Sequence, residues 1–442
     1  MSILLDIQPA TALIDVPRRI HVRGLCAGQR VSLQTRTVRG PGVLWVSAAE
    51  FSADAAGTVD LGRDAPISGS YSGVSPMGLI WSQCPRESGS SRDTFAAEPS
   101  APLRTEVSLL IDGQAICHAE LVQVLAAEGV RRREVREEGL SATLFTPATP
   151  GPHPVVMVLN GSGGGINEPR AALYASRGYA ALAVGYFKCP GRPDYISDTH
   201  LEYFETALQW IHRMLQPRDG FVALSGQSRG GELVLLLGSL FPDMVKAVIG
   251  YVPGAVVHCA QNACNPATGR DGPAWIFRGQ ALPHLWENNR TATWAPWDHG
   301  PEPRRHTHAI LTGLQDADAV ERARIRVERI DGPVMLLSGS DDGSWPSSLY
   351  SRMIKDRLSE FSHPYPVEHH DWEGGGHAIV FPYVPTTQLE YAHPVSGRRS
   401  TSGGTPAINA QADEQSWTAV QAFLARACAA HAARASSPFS TL

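Results

Sequence analysis

Cysteine is scarce and odd in number, 7 among 442 residues. The thiols lie scattered at Cys26, Cys84, Cys117, Cys189, Cys259, Cys264 and Cys428, which argues against a disulfide framework and for free thiols in a reducing compartment. Cys259 and Cys264, beside His258, fit neither C-x-x-C nor zinc-finger spacing. The cluster His369, His370, Asp371, Glu373 and His377 lacks the H-E-x-x-H pattern and sits among glycines, so no metal is expected. Long apolar runs are missing too: Leu233 to Phe241 is far too short to span a bilayer, and no stable membrane insertion is expected. The start, Met1-Ser2-Ile3-Leu4-Leu5-Asp6, has no basic region and meets an acid early, which argues against a secretory signal. Ser440-Thr441-Leu442 is not the Ser-Lys-Leu peroxisomal address. Basic excess is absent, the net charge being -5, so nothing electrostatic points to nucleic acid. These absences agree with a soluble cytoplasmic enzyme, with no cofactor called for and the oligomeric state open.

The chain is too long for one core and should divide into two or three domains. Its 43% hydrophobic and 18% charged residues are ordinary for a globular protein. Residues 1–128 carry strand signals at Thr11 to Val22, Arg30 to Thr37, Leu44 to Phe51 and Glu106 to Ile111, bounded by Gly, Pro or Asp turns, the spacing of a β-sandwich. The run from Glu128 to Glu138, with Arg131, Arg132 and Arg133 among glutamates, reads as a solvated connector over 129–141, with a nucleotide-phosphate contact as the other reading. Residues 142–432 alternate apolar strands with helical patterns such as Glu202 to Met214, which is the layout of a mostly parallel α/β sheet. Trp417, Val420, Phe423 and Leu424 mark one face of an amphipathic closing helix over Glu414 to Ala429. Residues 433–442 are expected to be loose.

Within the α/β region, Gly226-Gln227-Ser228-Arg229-Gly230-Gly231 follows the apolar run Phe221 to Leu224 and precedes Glu232 to Leu237. A serine between two glycines at a strand-to-helix hinge reads as a nucleophile elbow, with Gly226 and Gly230 letting the two backbones approach. A serine hydroxyl needs a base and an orienting carboxylate. Val334 to Gly339 runs into Ser340-Asp341-Asp342, where such a sheet presents functional loops. Gly374-Gly375-Gly376-His377 supplies an imidazole on a glycine loop. The order Ser228, Asp342, His377 is the one this elbow requires. Val155 to Leu159 opens into Asn160-Gly161-Ser162-Gly163-Gly164-Gly165. Without a following Gly-Lys-Ser/Thr this loop is not a phosphate loop. It offers the N–H of Gly164 which, with that of Arg229, would face a developing oxyanion.

These motifs resemble those of the acyl-CoA thioesterase and bile acid-CoA:amino acid N-acyltransferase family. Pro76-Met77-Gly78-Leu79-Ile80-Trp81, the Gly163 to Gly165 loop, His200-Leu201-Glu202-Tyr203-Phe204-Glu205, the elbow, Asp341-Asp342-Gly343-Ser344-Trp345-Pro346-Ser347 and Gly376-His377 with Pro382 to Pro385 are each similar to a segment of that family. The resemblance implies a β-sandwich ahead of an α/β-hydrolase domain, an acyl thioester substrate, and the second aspartate, Asp342, as the triad member. Amide-forming members tend to carry cysteine as nucleophile, so Ser228 favours hydrolysis. The stretch 256–308, rich in Trp and His, departs from the family's composition and reads as a lid or acyl-pocket wall, or else as a long loop pinned by tryptophans. Transfer to an amine, hydrolysis of simple esters or peptides, and a non-catalytic binding role are the other readings.

Overall fold

The computed structural model describes residues 2–87, 93–96 and 101–435. Two compact units divide the chain, one built from residues 1–127, 380–389 and 405–417 and the other from 128–379, 390–404 and 418 onward.

In the first unit the strands of three or more residues are β1 (Leu4–Gln8), β2 (Thr11–Leu13), β3 (Arg19–Arg23), β4 (Arg30–Arg39), β5 (Val43–Ser52), β6 (Thr58–Asp60), β7 (Leu103–Ile111) and β8 (Gln114–Val124). They form a small sheet ordered β1-β3-β6 and a larger one whose main path is β2-β8-β7-β4-β5. Every second residue of β4 is buried, the period-2 pattern of a strand with one face on a core. Ile20, Val22 and Val59 from the small sheet meet Leu33, Phe51, Leu109 and Leu121 from the large one in a single hydrophobic cluster, each such side chain contributing roughly 1.5–3 kcal/mol. This is the expected all-β sandwich. Two later segments, read from sequence as part of the catalytic domain, pack here instead. Tyr383 joins the cluster and its carbonyl accepts from Gln123 Nε2 at 3.0 Å. Trp417 Nε1 donates to Asp15 at 2.7 Å.

The second unit is built on an eight-stranded sheet of β9 (Arg131–Val135), β10 (Ser141–Thr146), β11 (Val155–Leu159), β12 (Ala180–Gly185), β13 (Val222–Gln227), β14 (Ala247–Tyr251), β15 (Val334–Gly339) and β16 (Val367–Trp372). Their spatial order is β9-β10-β12-β11-β13-β14-β15-β16. The first two pairings are antiparallel and all the rest parallel. Strands β11 to β15 are buried along almost their whole length, as expected where helices cover both faces. The main helices of this unit are α1 (Glu168–Ser176), α2 (Glu202–Trp210), α3 (Arg229–Leu240) and α4 (Ser347–Glu360). The architecture is that of an α/β hydrolase.

Three boundaries differ from the sequence reading. The charged run expected as a connector over 129–141 contains edge strand β9, which exposes Arg131 to Glu134 and buries only Val135. Solvent-facing charge is what protects an edge strand from further pairing, so composition hid the strand. Helix α2 stops at Trp210 and continues as a wider turn over Ile211–Leu215. The closing helix runs Pro406–Ala435, so residues 433–435 of the expected loose tail are helical, while 436–442 lie outside the described residues. Among the described residues no helix is long and apolar enough to cross a membrane.

Candidate active site

Strand β13 ends at Gln227, and the next residue is Ser228, whose φ of 58° and ψ of -119° place a non-glycine residue in a sparsely populated region costing about 1–3 kcal/mol. The strain is held from both sides: Ser228 N–H donates to the Tyr251 carbonyl at 2.8 Å, and its own carbonyl accepts from Glu232 N–H at 3.0 Å. The flanking glycines follow from contact distances. A Cβ at Gly226 would lie 2.1 Å from the Gly230 carbonyl oxygen, and one at Gly230 would lie 2.6 Å from the oxygens of Leu159 and Asn160. No side chain fits at either place, which is the physical content of the G-x-S-x-G spacing.

The histidine and the carboxylate converge on this serine. His377 Nε2 lies 2.8 Å from Ser228 Oγ, and His377 Nδ1 lies 2.8 Å from Asp342 Oδ2. The other Asp342 oxygen accepts from the N–H groups of Ser344 at 2.8 Å and Trp345 at 3.1 Å. These bonds fix an acceptor-only carboxylate, which fixes the His377 tautomer with its proton on Nδ1 and leaves Nε2 to accept from Ser228. Asp341 is placed otherwise: its side chain is 46% exposed and paired with Arg305, whereas that of Asp342 is 1% exposed. The acid loop is clamped from outside by Thr307, whose hydroxyl donates to the Asp342 carbonyl at 2.7 Å, and by Trp345, whose Nε1 donates to the Val252 carbonyl at 2.8 Å.

One expected donor is not where the sequence put it. Gly164 N–H donates to the Gly161 carbonyl at 3.1 Å, and a Cβ on Gly164 would run into Lys188 and Phe187. The loop closes on itself as a turn, with Asn160 Nδ2 bound to the Gly164 carbonyl at 2.6 Å, so Gly164 is spent on loop closure. Gly161 is the residue packed on the elbow, its Cβ position being 3.3 Å from Ser228 Cβ. Arg229 opens α3, so its N–H is one of the first-turn donors that no helical carbonyl satisfies.

His369 Nε2 and Asp371 both bond Ser338 Oγ at 2.8 Å, and no group of three His, Cys, Asp or Glu among the described residues is arranged to hold a metal. All seven cysteines are free thiols, with Cys259 buried. The stretch 256–308 is woven into the unit: Val256, Val257, Trp275 and Leu285 belong to its main core, and Trp294 and Trp297 pack with Cys259 and Ala309.

Sequence comparison agrees with this architecture. Residues 199–430 match the family model described as BAAT / Acyl-CoA thioester hydrolase C terminal, and residues 15–137 match Acyl-CoA thioester hydrolase/BAAT N-terminal region. This chain belongs to the BAAT and acyl-CoA thioester hydrolase family. It is 30% identical to mouse acyl-coenzyme A thioesterase 1 over 96% of both chains. To mouse mitochondrial acyl-coenzyme A thioesterase 2 it is 30% identical over 92% of this chain and 86% of that one, and to human acyl-coenzyme A thioesterase 6 it is 30% identical over 96% of both.

This thioester hydrolase family member also carries a buried polar network that sequence reasoning missed. Glu232, on the first turn of α3, is fully buried. It accepts from Arg229 at 2.9 Å, from Trp275 Nε1 at 2.8 Å and from His258 Nδ1 at 2.8 Å. His258 Nε2 in turn accepts from the Tyr350 hydroxyl at 2.8 Å. Burial works against the Glu232 charge, but Arg229 and His258 outweigh it and hold the carboxyl below the usual range. Burial pushes His258 down against the pull of Glu232, so the imidazole is neutral. The signal was present: Glu232 is the one charged residue opening the apolar run Leu233 to Leu237, and a buried charge requires partners.

Proposed function

We propose that this family member hydrolyses acyl thioesters, with acyl-CoA as the substrate class, through an acyl-enzyme on Ser228. The observation that carries the reading is the 2.8 Å approach of His377 Nε2 to Ser228 Oγ on a strained elbow. In this reading Ser228 Oγ attacks the thioester carbonyl as its proton passes to His377 Nε2. Asp342 holds the ring and stabilises the imidazolium. The tetrahedral oxyanion forms against the Arg229 N–H, then collapses with loss of the thiolate, which takes the proton from His377. Water, deprotonated by the same histidine, attacks the serine ester and releases the free acid. Serine in place of cysteine supports water as acceptor, because an oxygen ester is the less aminolysis-prone intermediate.

Thiol release from a panel of acyl-CoAs, with product mass read in the presence and absence of glycine, tests this. Free acid from wild type and none from Ser228→Ala is expected. An amide formed with glycine would move the reading to acyl transfer, and cleavage of simple esters alone would overturn the thioester assignment.

A further inference from the structure

We propose that Ser162 is a catalytic residue of this site, its hydroxyl donating a hydrogen bond to the substrate carbonyl oxygen as that oxygen becomes negative, and that His393 is the positioning residue that aims it. The proposal rests on the thioester reading above for its substrate, though not for its geometry.

The argument starts at His393, which is 6% exposed. Its Nδ1 accepts from the N–H groups of Val395 at 3.2 Å and Ser396 at 3.4 Å. A ring nitrogen that accepts carries no proton, so the imidazole proton sits on Nε2. Nε2 faces Ser162 Oγ at 2.9 Å and is therefore the donor in that bond. Burial, reinforced by the Lys188 and Arg229 cations, brings the His393 pKa down to about 4, so the ring stays neutral near pH 7. A neutral ring whose only lone pair points at its own turn cannot deprotonate Ser162, which excludes a second nucleophile–base pair here. Ser162 Oγ is instead an acceptor from His393, and its own O–H is left to donate elsewhere.

The placement of Ser162 says where. It follows Gly161, whose Cβ position lies 3.8 Å from Ser228 Oγ, in the loop that leaves β11 beside the elbow. The loop is fastened at each end of this segment. Asn160 bridges it to Gly164, bonding the Gly164 carbonyl and accepting from Gly161 N–H at 3.0 Å. Lys188 Nζ donates to the Pro394 carbonyl at 2.6 Å, fixing the residue next to His393. A donor fixed in this way before reaction costs little reorganisation when charge develops, which is the condition for oxyanion stabilisation. No proton is transferred in this step: Ser162 keeps its hydrogen and supplies the donor that Gly164, bound within its own turn, does not.

Ser162→Ala is expected to lower kcat by about 10²-fold with KM changed less than about threefold. Affinity for a trifluoromethyl ketone, whose hemiketal with Ser228 carries the same oxyanion, is expected to fall by a similar factor, with an unchanged melting temperature showing an intact fold. Ser162→Thr, which keeps a hydroxyl, should restore most of both. His393→Gln, which keeps an N–H donor, should lose less than His393→Ala. A Ser162→Ala protein with wild-type kcat and ketone affinity overturns the proposal. If wild type cleaves p-nitrophenyl esters and no thioester, the thioester reading has failed while the same comparison on the ester still decides Ser162. Wild type inert to ketone, ester and thioester alike overturns both.

Discussion

The second unit contains two carboxylate–imidazole–hydroxyl chains with matching distances. Asp342, His377 and Ser228 are linked by two contacts of 2.8 Å, and so are Glu232, His258 and Tyr350. Trp345 touches both, stacked on His258 at 4.8 Å and edge-on to His377 at 6.0 Å. They differ in access and in the final hydroxyl. The His377 side chain is 12% exposed and that of His258 is 0% exposed. Ser228 stands on a strained turn, whereas burial lifts the Tyr350 hydroxyl well above its usual pKa, which makes it a poorer proton donor. The same three chemical groups thus serve a reaction, in our reading, only where the last one is reachable. Sealed, they hold Arg229 against α3 and brace the residue whose N–H we propose as an oxyanion donor.

The largest effect that would break the comparison is on turnover. Ser228→Ala should reduce kcat by about 10⁶-fold with an unchanged melting temperature, and residual activity near wild type would remove Ser228 from the mechanism. Asp342→Asn should cost about 10⁴-fold in kcat, because the amide stabilises the wrong His377 tautomer. Asp341→Asn, half-exposed and bound to Arg305, should stay within about threefold, as surface ion pairs carry little energy. Kinetics that place the larger loss on Asp341 would reassign the orienting carboxylate.

How much of this the sequence disclosed depends on whether a residue's role left a local trace. The elbow did, because the backbone clashes at Gly226 and Gly230 admit glycine only, and contact distance writes itself into a short motif. The order Ser228, Asp342, His377 was readable too, because Ser228 and Asp342 each follow a buried apolar strand and His377 ends a run of three glycines. The glycine loop after β11 was legible, but Gly164 N–H, expected as a donor, is bound to the Gly161 carbonyl, because which N–H is free depends on how the turn closes and not on which residues are glycine. The pairings of Glu232 with His258 and of Ser162 with His393, 26 and 231 residues apart, left no spacing to read. Edge strand β9 was hidden by the charges that protect it.

On the sealed side, Glu232→Gln should destabilise the protein by about 3–5 kcal/mol, since it strips the carboxylate from a buried guanidinium. Denaturant titration measures this, and a loss below about 1 kcal/mol would mean that Arg229 is satisfied by the carbonyls of His258 and Cys259 alone. Acid should act through buried imidazoles outside both chains. Burial lowers His306 to about 3 and His393 to about 4, from an ordinary 6.5. Between those limits the unfolded chain binds protons that the folded one does not, so stability falls as pH drops from 6.5 toward 4. Each group adds a slope of up to about 1.4 kcal/mol per pH unit. Melting temperature against pH should show this fall, and His393→Gln should reduce its slope by one proton's worth. A stability that rises on acidification through this window would contradict neutral buried rings.

The smallest and sharpest test is Tyr350→Phe. It removes the hydroxyl that donates to His258 Nε2 and leaves a fully buried acceptor without its partner, at a cost of about 1–3 kcal/mol. Because Glu232 still holds Nδ1 and Trp345 still stacks on the ring, the imidazole should keep its place and kcat should stay within about threefold. Stability lost with kcat retained keeps the two relays separate, one reactive and one bracing. A drop in kcat comparable to that of Asp342→Asn would instead show that Trp345 transmits the state of one histidine to the other, and the relays would have to be treated as a single titrating system.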